Sequence, residues 1–275
     1  MQSHIKYYLI INADDFGRSR NVNYAIIDCF RKRVITDCNL MVNMPASLEA
    51  AKLARKYIEL PVGIHFVLTG GRGISKACPL TRAKSLVDKY GYFFSPEPST
   101  SFWEDKIYYW QNSEILKELK AQILLFKKFT GKFPTHITSH HHIHAHPKLL
   151  PIFISLAKKY DIPLRIPIFH GQPPSNKKLI NLRKKVLMTN SFVIDYKGNY
   201  KRATFKNFYQ SLKKIPFGTA ELMVHPAFPD IGEDKNHNNW WRRELKMLQG
   251  KSFVHFISSS NIKLINYSEL RNYEI

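Results

Sequence analysis

Acidic residues are the scarce class in this 275-residue chain: 21 Asp and Glu stand against 42 Lys and Arg, giving a net charge of +21 and a pI near 9.8. An imbalance of that size points to nucleic acid, an anionic membrane surface or a polyanionic substrate, unless the charges simply solvate the surface. The bases are scattered over "FRKR" (30–33), "LARKY" (53–57), "FKKF" (126–129), "SNKKLINLRKK" (175–185) and "SLKKI" (211–215), mostly on amphipathic helices or loops. That is the pattern of solvated faces. No helix-turn-helix, RNP motif or zinc finger accompanies them, so no specific nucleic-acid partner is expected. Long apolar runs are missing as well: no stretch reaches 18 consecutive apolar residues, and the first one is followed by acids where a leader would carry small residues. A soluble, cytoplasmic protein is expected. Cys29, Cys38 and Cys78 have no CxxC spacing, which argues against a disulfide framework and a zinc knuckle.

What is present is an alternation of short apolar, β-branched runs with helical patterns. Strands are predicted over 6–12, 35–43, 60–68, 135–140, 163–167, 219–226 and 262–267. Helices are predicted over 21–33, 47–57 with Ser47 as N-cap, 113–129, 147–160 with Pro147 at the start, 204–214 and 238–250. Residues of about 70–112 break the rhythm with glycines, prolines and aromatics and read as an excursion or lid outside the core; about 168–200 reads as an irregular insertion. Repeated βα units imply an α/β single domain over 1–275, with a parallel sheet either open and doubly wound or closed as a barrel.

In both architectures ligands bind at the carboxyl ends of the strands. There the ionisable residues collect. "INADDFGRSR" (11–20) puts Asp14 and Asp15 at the end of the first strand, His65 ends the core of the third, and "SHHHIHAHP" (139–147) follows the fourth with five histidines in seven positions. Arg165 lies in the fifth strand, and His225 ends a later one. Two adjacent carboxylates at a strand mouth need a cation or a proton to compensate them. One Asp and two His can hold a divalent metal with a position left open, and the second Asp is then free to act as base on water. His225 is a candidate general acid for a leaving amine.

"NADDFG" (12–17), "GIHFVLT" (63–69), "THITSHHHIHAHP" (135–147), "IPLR" (162–165) and "ELMVHPAF" (221–228) resemble, in order, the signatures of the YdjC-like carbohydrate deacetylases, notably the chitooligosaccharide deacetylases. The resemblance runs from about 7 to 270 and is thin over 72–112 and 168–218. It implies an irregular TIM-like (β/α) barrel and metal-dependent removal of an N-acetyl group from a glucosamine unit of a small carbohydrate. Position by position, it implies Asp15, His65 and His140 as metal ligands, Asp14 as general base, His225 as general acid and Arg165 as the holder of the base. His142 and His144 alternate with His140 and are expected behind the ligands or at the substrate; which of the three ligates stays open. One divalent cation is implied, Mg2+ by the resemblance, while the donors suit Zn2+, Co2+ or Mn2+.

The chain departs from its relatives at Thr138, where they commonly carry an acid, and at His146, an additional histidine. Tyr92, Phe93, Trp103 and Trp110 are either a sugar-stacking lid or local core. Two rival readings stand beside the leading one. A lipid-linked or membrane-associated amino sugar, as in hopanoid biosynthesis, would use the positive charge for peripheral contact with an anionic membrane. A non-enzymatic, metal- or nucleic-acid-binding protein would use the histidines and bases without turnover. A homodimer is compatible with any of them.

Overall fold

The computed structural model describes residues 7–70, 77–95, 102–169, 173–193, 204–213, 215, 217–229 and 235–273. Strand β1 (Tyr7–Phe16) is the centre of an all-parallel sheet. β2 (Asp37–Leu40), β3 (Val62–Phe66) and β4 (Ile137–Ser139) follow on one side. On the other side lie β6 (Gly218–Val224) and β5 (Ser191–Val193), while β7 (Ile262–Leu264) pairs with Tyr7–Leu9 of β1. The backbone then carries the sheet round from β4 towards β5. Ile137 N donates to Pro163 O, Arg165 N to Ile137 O, and Leu164 N to Leu187 O, four residues before β5 begins. The result is an irregular α/β barrel, as expected. The predicted strand over 163–167 is reduced to a single bridge, Ile137 with Leu164, because neither neighbour runs alongside it for long.

Helices α1 (Arg20–Arg31), α2 (Ser47–Lys56), α4 (Asn112–Thr130) and α5 (Leu150–Tyr160) bury one apolar face each against the sheet. α1 begins at Ser19, whose side chain accepts from Val22 N. Ser47 is not the N-cap of α2; that position is Ala46, and the Ser47 hydroxyl donates to Met44 O at 2.8 Å. α5 starts at Leu150, later than Pro147, because residues 140–145 form a separate 3-10 turn and Pro151 occupies the first helical turn.

The excursion after β3 contributes to the core, contrary to the sequence reading. Leu86, Phe93 and Trp110 are each at most 2% exposed, and a bridge between Val87 and Phe93 pins the loop. Trp110 and Phe93 are therefore packing residues and Tyr92 is half-buried, while the Trp103 side chain lies outside the described residues. Helix α3 (Phe102–Tyr109) ends this segment. The irregular stretch carries α6 (Asn176–Arg183) as well as β5; after α7 (Phe205–Lys213) the helix predicted over 238–250 is α8 (Lys235–Leu248), and an unpredicted helix, α9 (Lys251–Ser259), follows it across Gly250. The C-terminal 3-10 segment Tyr267–Tyr273 places Tyr267, 1% exposed, beside the sheet interior.

Candidate metal centre and active site

Alternation along the strands decides what faces the barrel interior. Asn12 and Asp14 of β1, Asp37 and Asn39 of β2, Gly63 and His65 of β3, Thr138 of β4 with His136 and His140 flanking it, and Glu221 of β6 with His225 just beyond it all fall on inward positions. The hydrogen bonds among them are described below. The apolar alternates, Ile11, Cys38, Ile64, Ile137 and Leu222, pack into the core under the helices.

Asp15 should point the other way from Asp14. Its φ of 68° and a register shift between Ala13 and Phe16 against β2 turn it back. Gly17 completes the turn with φ 97°, where a Cβ would lie 2.6 Å from Met41 O. β1 thus runs through both carboxylates, beyond its expected end at residue 12, and both face the same space.

Asp15 Oδ1 is 3.5 Å from His65 Nε2 and 3.5 Å from His140 Nδ1. It is buried and makes no hydrogen bond, whereas Oδ2 takes the Arg18 guanidinium at 3.3 Å. Arg18 in turn stacks on Trp241, 4.2 Å from the ring centroid. A buried carboxylate oxygen with two imidazole nitrogens and no proton donor fits a divalent cation, and the three donors lie within 4.8 Å of one another. His65 is prepared for that role: its Nδ1 donates to Thr138 Oγ1 at 2.7 Å, and Thr138 donates onward to Ile64 O, so the Nε2 lone pair faces Asp15. Burial lowers His65 to about 4, against the opposing pull of Asp14 and Asp15, so it is neutral at pH 7. Burial alone would raise the Asp15 carboxyl, but His140 beside it and then Arg18 hold it well below the usual carboxylate range.

Asp14 has different partners. Arg165 Nη1 and Nη2 donate to its two oxygens at 2.7 Å each, and Asn39 Nδ2 donates to Oδ1 at 2.5 Å. Burial opposes ionisation; Arg165 first and then His65 outweigh it, and Asp14 stays ionised. His225 Nε2 lies 3.9 Å from Asp14 Oδ2 across the site. On its other side His225 Nδ1 is 3.6 Å from Glu244 of α8, and its backbone N–H donates to the same carboxylate. Burial would lower His225, yet the bond and charge of Glu244, then Asp15 and Asp14, raise it above its ordinary value.

The structure separates the three alternating histidines. His140 joins Asp15 and His65. His144 turns away, its Nδ1 bonded to Ser139 Oγ at 2.6 Å, and burial followed by Arg165 lowers it to about 3. His142, with φ 52°, packs edge-on to Phe192 at 5.6 Å between centroids. The consecutive left-handed residues His141 and His142 explain how the turn fans the imidazoles apart. His146 packs against Tyr108 of α3, and Lys148 donates to the Tyr108 and Trp110 carbonyls.

Sequence reasoning missed Arg18, Glu221, Glu244 and Tyr267. Glu221 had a signal, a lone acid at an inward position of an apolar strand. Glu244 and Tyr267 had none, since both reach the site from segments distant in sequence.

The model of the family described as YdjC-like protein matches residues 8–259. A carbohydrate deacetylase of Geobacillus stearothermophilus is 37% identical over 95% of this chain and 97% of its own length. A chitooligosaccharide deacetylase of Yersinia pestis (strain Pestoides F) is 35% identical over 81% of this chain and 82% of its own. The crystal structure of a proposed cellobiose-phosphate cleavage protein from Enterococcus faecalis V583 superposes with a TM-score of 0.82 at 30% identity, covering 96% of this chain and 98% of that one.

Proposed function

The chain belongs to the YdjC-like family, and from that premise we propose that it is a metal-dependent carbohydrate deacetylase, hydrolysing the N-acetyl group of an N-acetylglucosamine unit in a short chitooligosaccharide. One observation carries the reading: a carboxylate held by an arginine faces a histidine held by a second carboxylate, beside three residues whose donor atoms suit a cation.

In this reading Asp15, His65 and His140 hold one divalent cation, Mg2+ by likeness to the family and Zn2+, Co2+ or Mn2+ by the softness of two imidazoles. When bound, the ion supplies positive charge that polarises the acetyl carbonyl and acidifies water. Asp14, ionised and pinned by Arg165, takes the proton from the attacking water. His225, 3.9 Å from Asp14 and raised by Glu244, donates a proton to the departing amine nitrogen. Amide and water become acetate and a free amino sugar. Trp240 lies beside the His225 ring, 4.9 Å between centroids, and its indole N–H donates to Glu244 at 2.7 Å.

Acetate release from N,N′-diacetylchitobiose and longer chitooligosaccharides, with each of the four metals added to metal-free protein, tests the activity. Asp14→Asn is expected to keep the metal stoichiometry and lose activity by about three orders of magnitude or more. Asp15→Ala and His65→Ala are expected to lose the metal. An Asp14→Asn protein with an empty site reverses the roles of the pair, and wild-type protein that binds metal but releases no acetate from any N-acetylated sugar removes the enzyme reading.

A further inference from the structure

Arg165 is fully buried, and its guanidinium is shared between two carboxylates. Two of its nitrogens go to Asp14; Nε and Nη2 go to Glu221 Oε1, at 3.0 and 2.6 Å. The backbone that carries Arg165 is not a regular strand and is tied down by two hydrogen bonds with Ile137 and one with Leu187. A four-carbon side chain on such a segment is not fixed by its backbone; something has to grip the head group. Glu221, on the long strand β6, does so.

Glu221 is itself gripped. Asn12 Nδ2 donates to its Oε1 at 2.8 Å and the Tyr267 hydroxyl to its Oε2 at 2.5 Å. Tyr267 lies flat on His136, 4.0 Å between centroids and 16° between planes, and its backbone N–H donates to Asp37 at 3.0 Å. Each of these groups is at most 1% exposed. We propose that Glu221 and Tyr267 are positioning residues that act through Arg165 to set the orientation of Asp14, an inference that rests on Asp14 being the base.

The effect is geometric: Nη2 donates to both carboxylates, so Glu221 fixes the plane of the guanidinium and with it the plane of Asp14. Burial raises the Tyr267 hydroxyl above its ordinary value, so it keeps its hydrogen and donates it to Glu221. A network present only to fill the barrel would not need its one permanent cation bonded to the base.

Tyr267→Phe keeps the ring stacked on His136 and removes only the hydroxyl; Glu221→Gln keeps the shape and removes the charge. In metal-loaded protein assayed on N,N′-diacetylchitobiose, both are expected to lower kcat by about 10-fold or more, with KM within about 2-fold and metal stoichiometry unchanged. The slowly exchanging Arg165 Nε–H resonance in 15N spectra is expected to broaden or vanish in Glu221→Ala, independently of turnover. In an Arg165→Lys background Tyr267→Phe is expected to cost nothing further, because its route runs through the guanidinium. A kcat within about 2-fold of wild type in both single variants, or losses that multiply in the Arg165→Lys background, overturns the inference. Wild-type protein that releases no acetate overturns the deacetylase reading beneath it, whereas an active wild type with unaffected variants overturns this proposal alone.

Discussion

Thr138 Oγ1 accepts the Nδ1 hydrogen of His65 at 2.7 Å and passes its own hydrogen to Ile64 O at 3.2 Å. Thr138 therefore orients the imidazole through a neutral acceptor. A hydroxyl fixes the tautomer but adds less electron density to the ring than a carboxylate does.

Thr138→Val removes that acceptor without changing the volume much, and leaves His65 free to present either tautomer. Metal affinity is expected to fall by about 10-fold or more, with the fold retained. Isothermal titration of metal-free protein with Zn2+ and Mn2+ measures it; unchanged affinity would mean the bond to Thr138 has no part in preparing His65.

Glu244 raises His225, so the protonated acid persists to higher pH than an isolated histidine would allow. The groups facing His225 include Glu244 and Trp240 from α8 and Asp14 and Asp15 from β1. Activity that needs the protonated form is lost as pH rises through the folded value. Glu244→Gln is expected to move the alkaline limb of kcat/KM down by about one pH unit. A limb that stays in place assigns it to another group.

The parallel α/β class was legible because most of its strands are short apolar runs separated by amphipathic helices. Most of the groups that gather at the candidate site were legible because they sit at the carboxyl ends of those runs. What escaped notice lay inside the runs: Asn12, Asp37, Asn39, His136 and Glu221 are polar residues at every second place in otherwise buried strands, and a parallel sheet does not ordinarily alternate. That departure was readable, and it marks a barrel whose interior is a polar network. Glu244 and Tyr267 were beyond reach, since their roles depend on how α8 and the C-terminal segment dock. The positive φ of Asp15 was also hidden, and it is what lets two neighbouring acids serve one site.

Gly63 belongs to the same interior. A Cβ there would stand 2.5 Å from the His136 ring, which cannot retreat because Tyr267 stacks on it and Asn12 and Thr135 bond its nitrogens. Gly63→Ala is expected to cost about 2–3 kcal/mol, a fall in Tm of roughly 5–10 °C for a chain of this size, and to lower activity by displacing the support of Glu221. Differential scanning calorimetry measures the first effect; an unchanged Tm would show that His136 moves freely.

The buried titratable groups also set how stability varies with pH, and their signs differ. His65, His136, His142 and His144 are held below the ordinary histidine value by burial, so between that value and their folded ones the unfolded chain binds more protons. Their neutrality costs stability progressively as pH falls below about 6.5, down to about 3 for His144. Asp37 acts oppositely: raised to about 8 by burial, with Thr36, Tyr267, Glu221, Glu269 and His136 around it, it keeps its proton folded and loses it unfolded between about 4 and 8. His225, raised above its unfolded value, likewise contributes stability that is full below about 6.5 and lost as pH rises through its folded value. Between about 4 and 6.5 the four histidines outnumber Asp37, and from about 6.5 up to the cysteine range Asp37 and His225 set the trend. Metal-free protein is therefore expected to show its highest Tm near pH 6.5, with a shallow alkaline decline that Asp37→Asn flattens. Thermal melts from pH 4.5 to 8.5 check it: a Tm that climbs steadily to pH 8.5 would mean that Asp37 is ionised in the folded barrel.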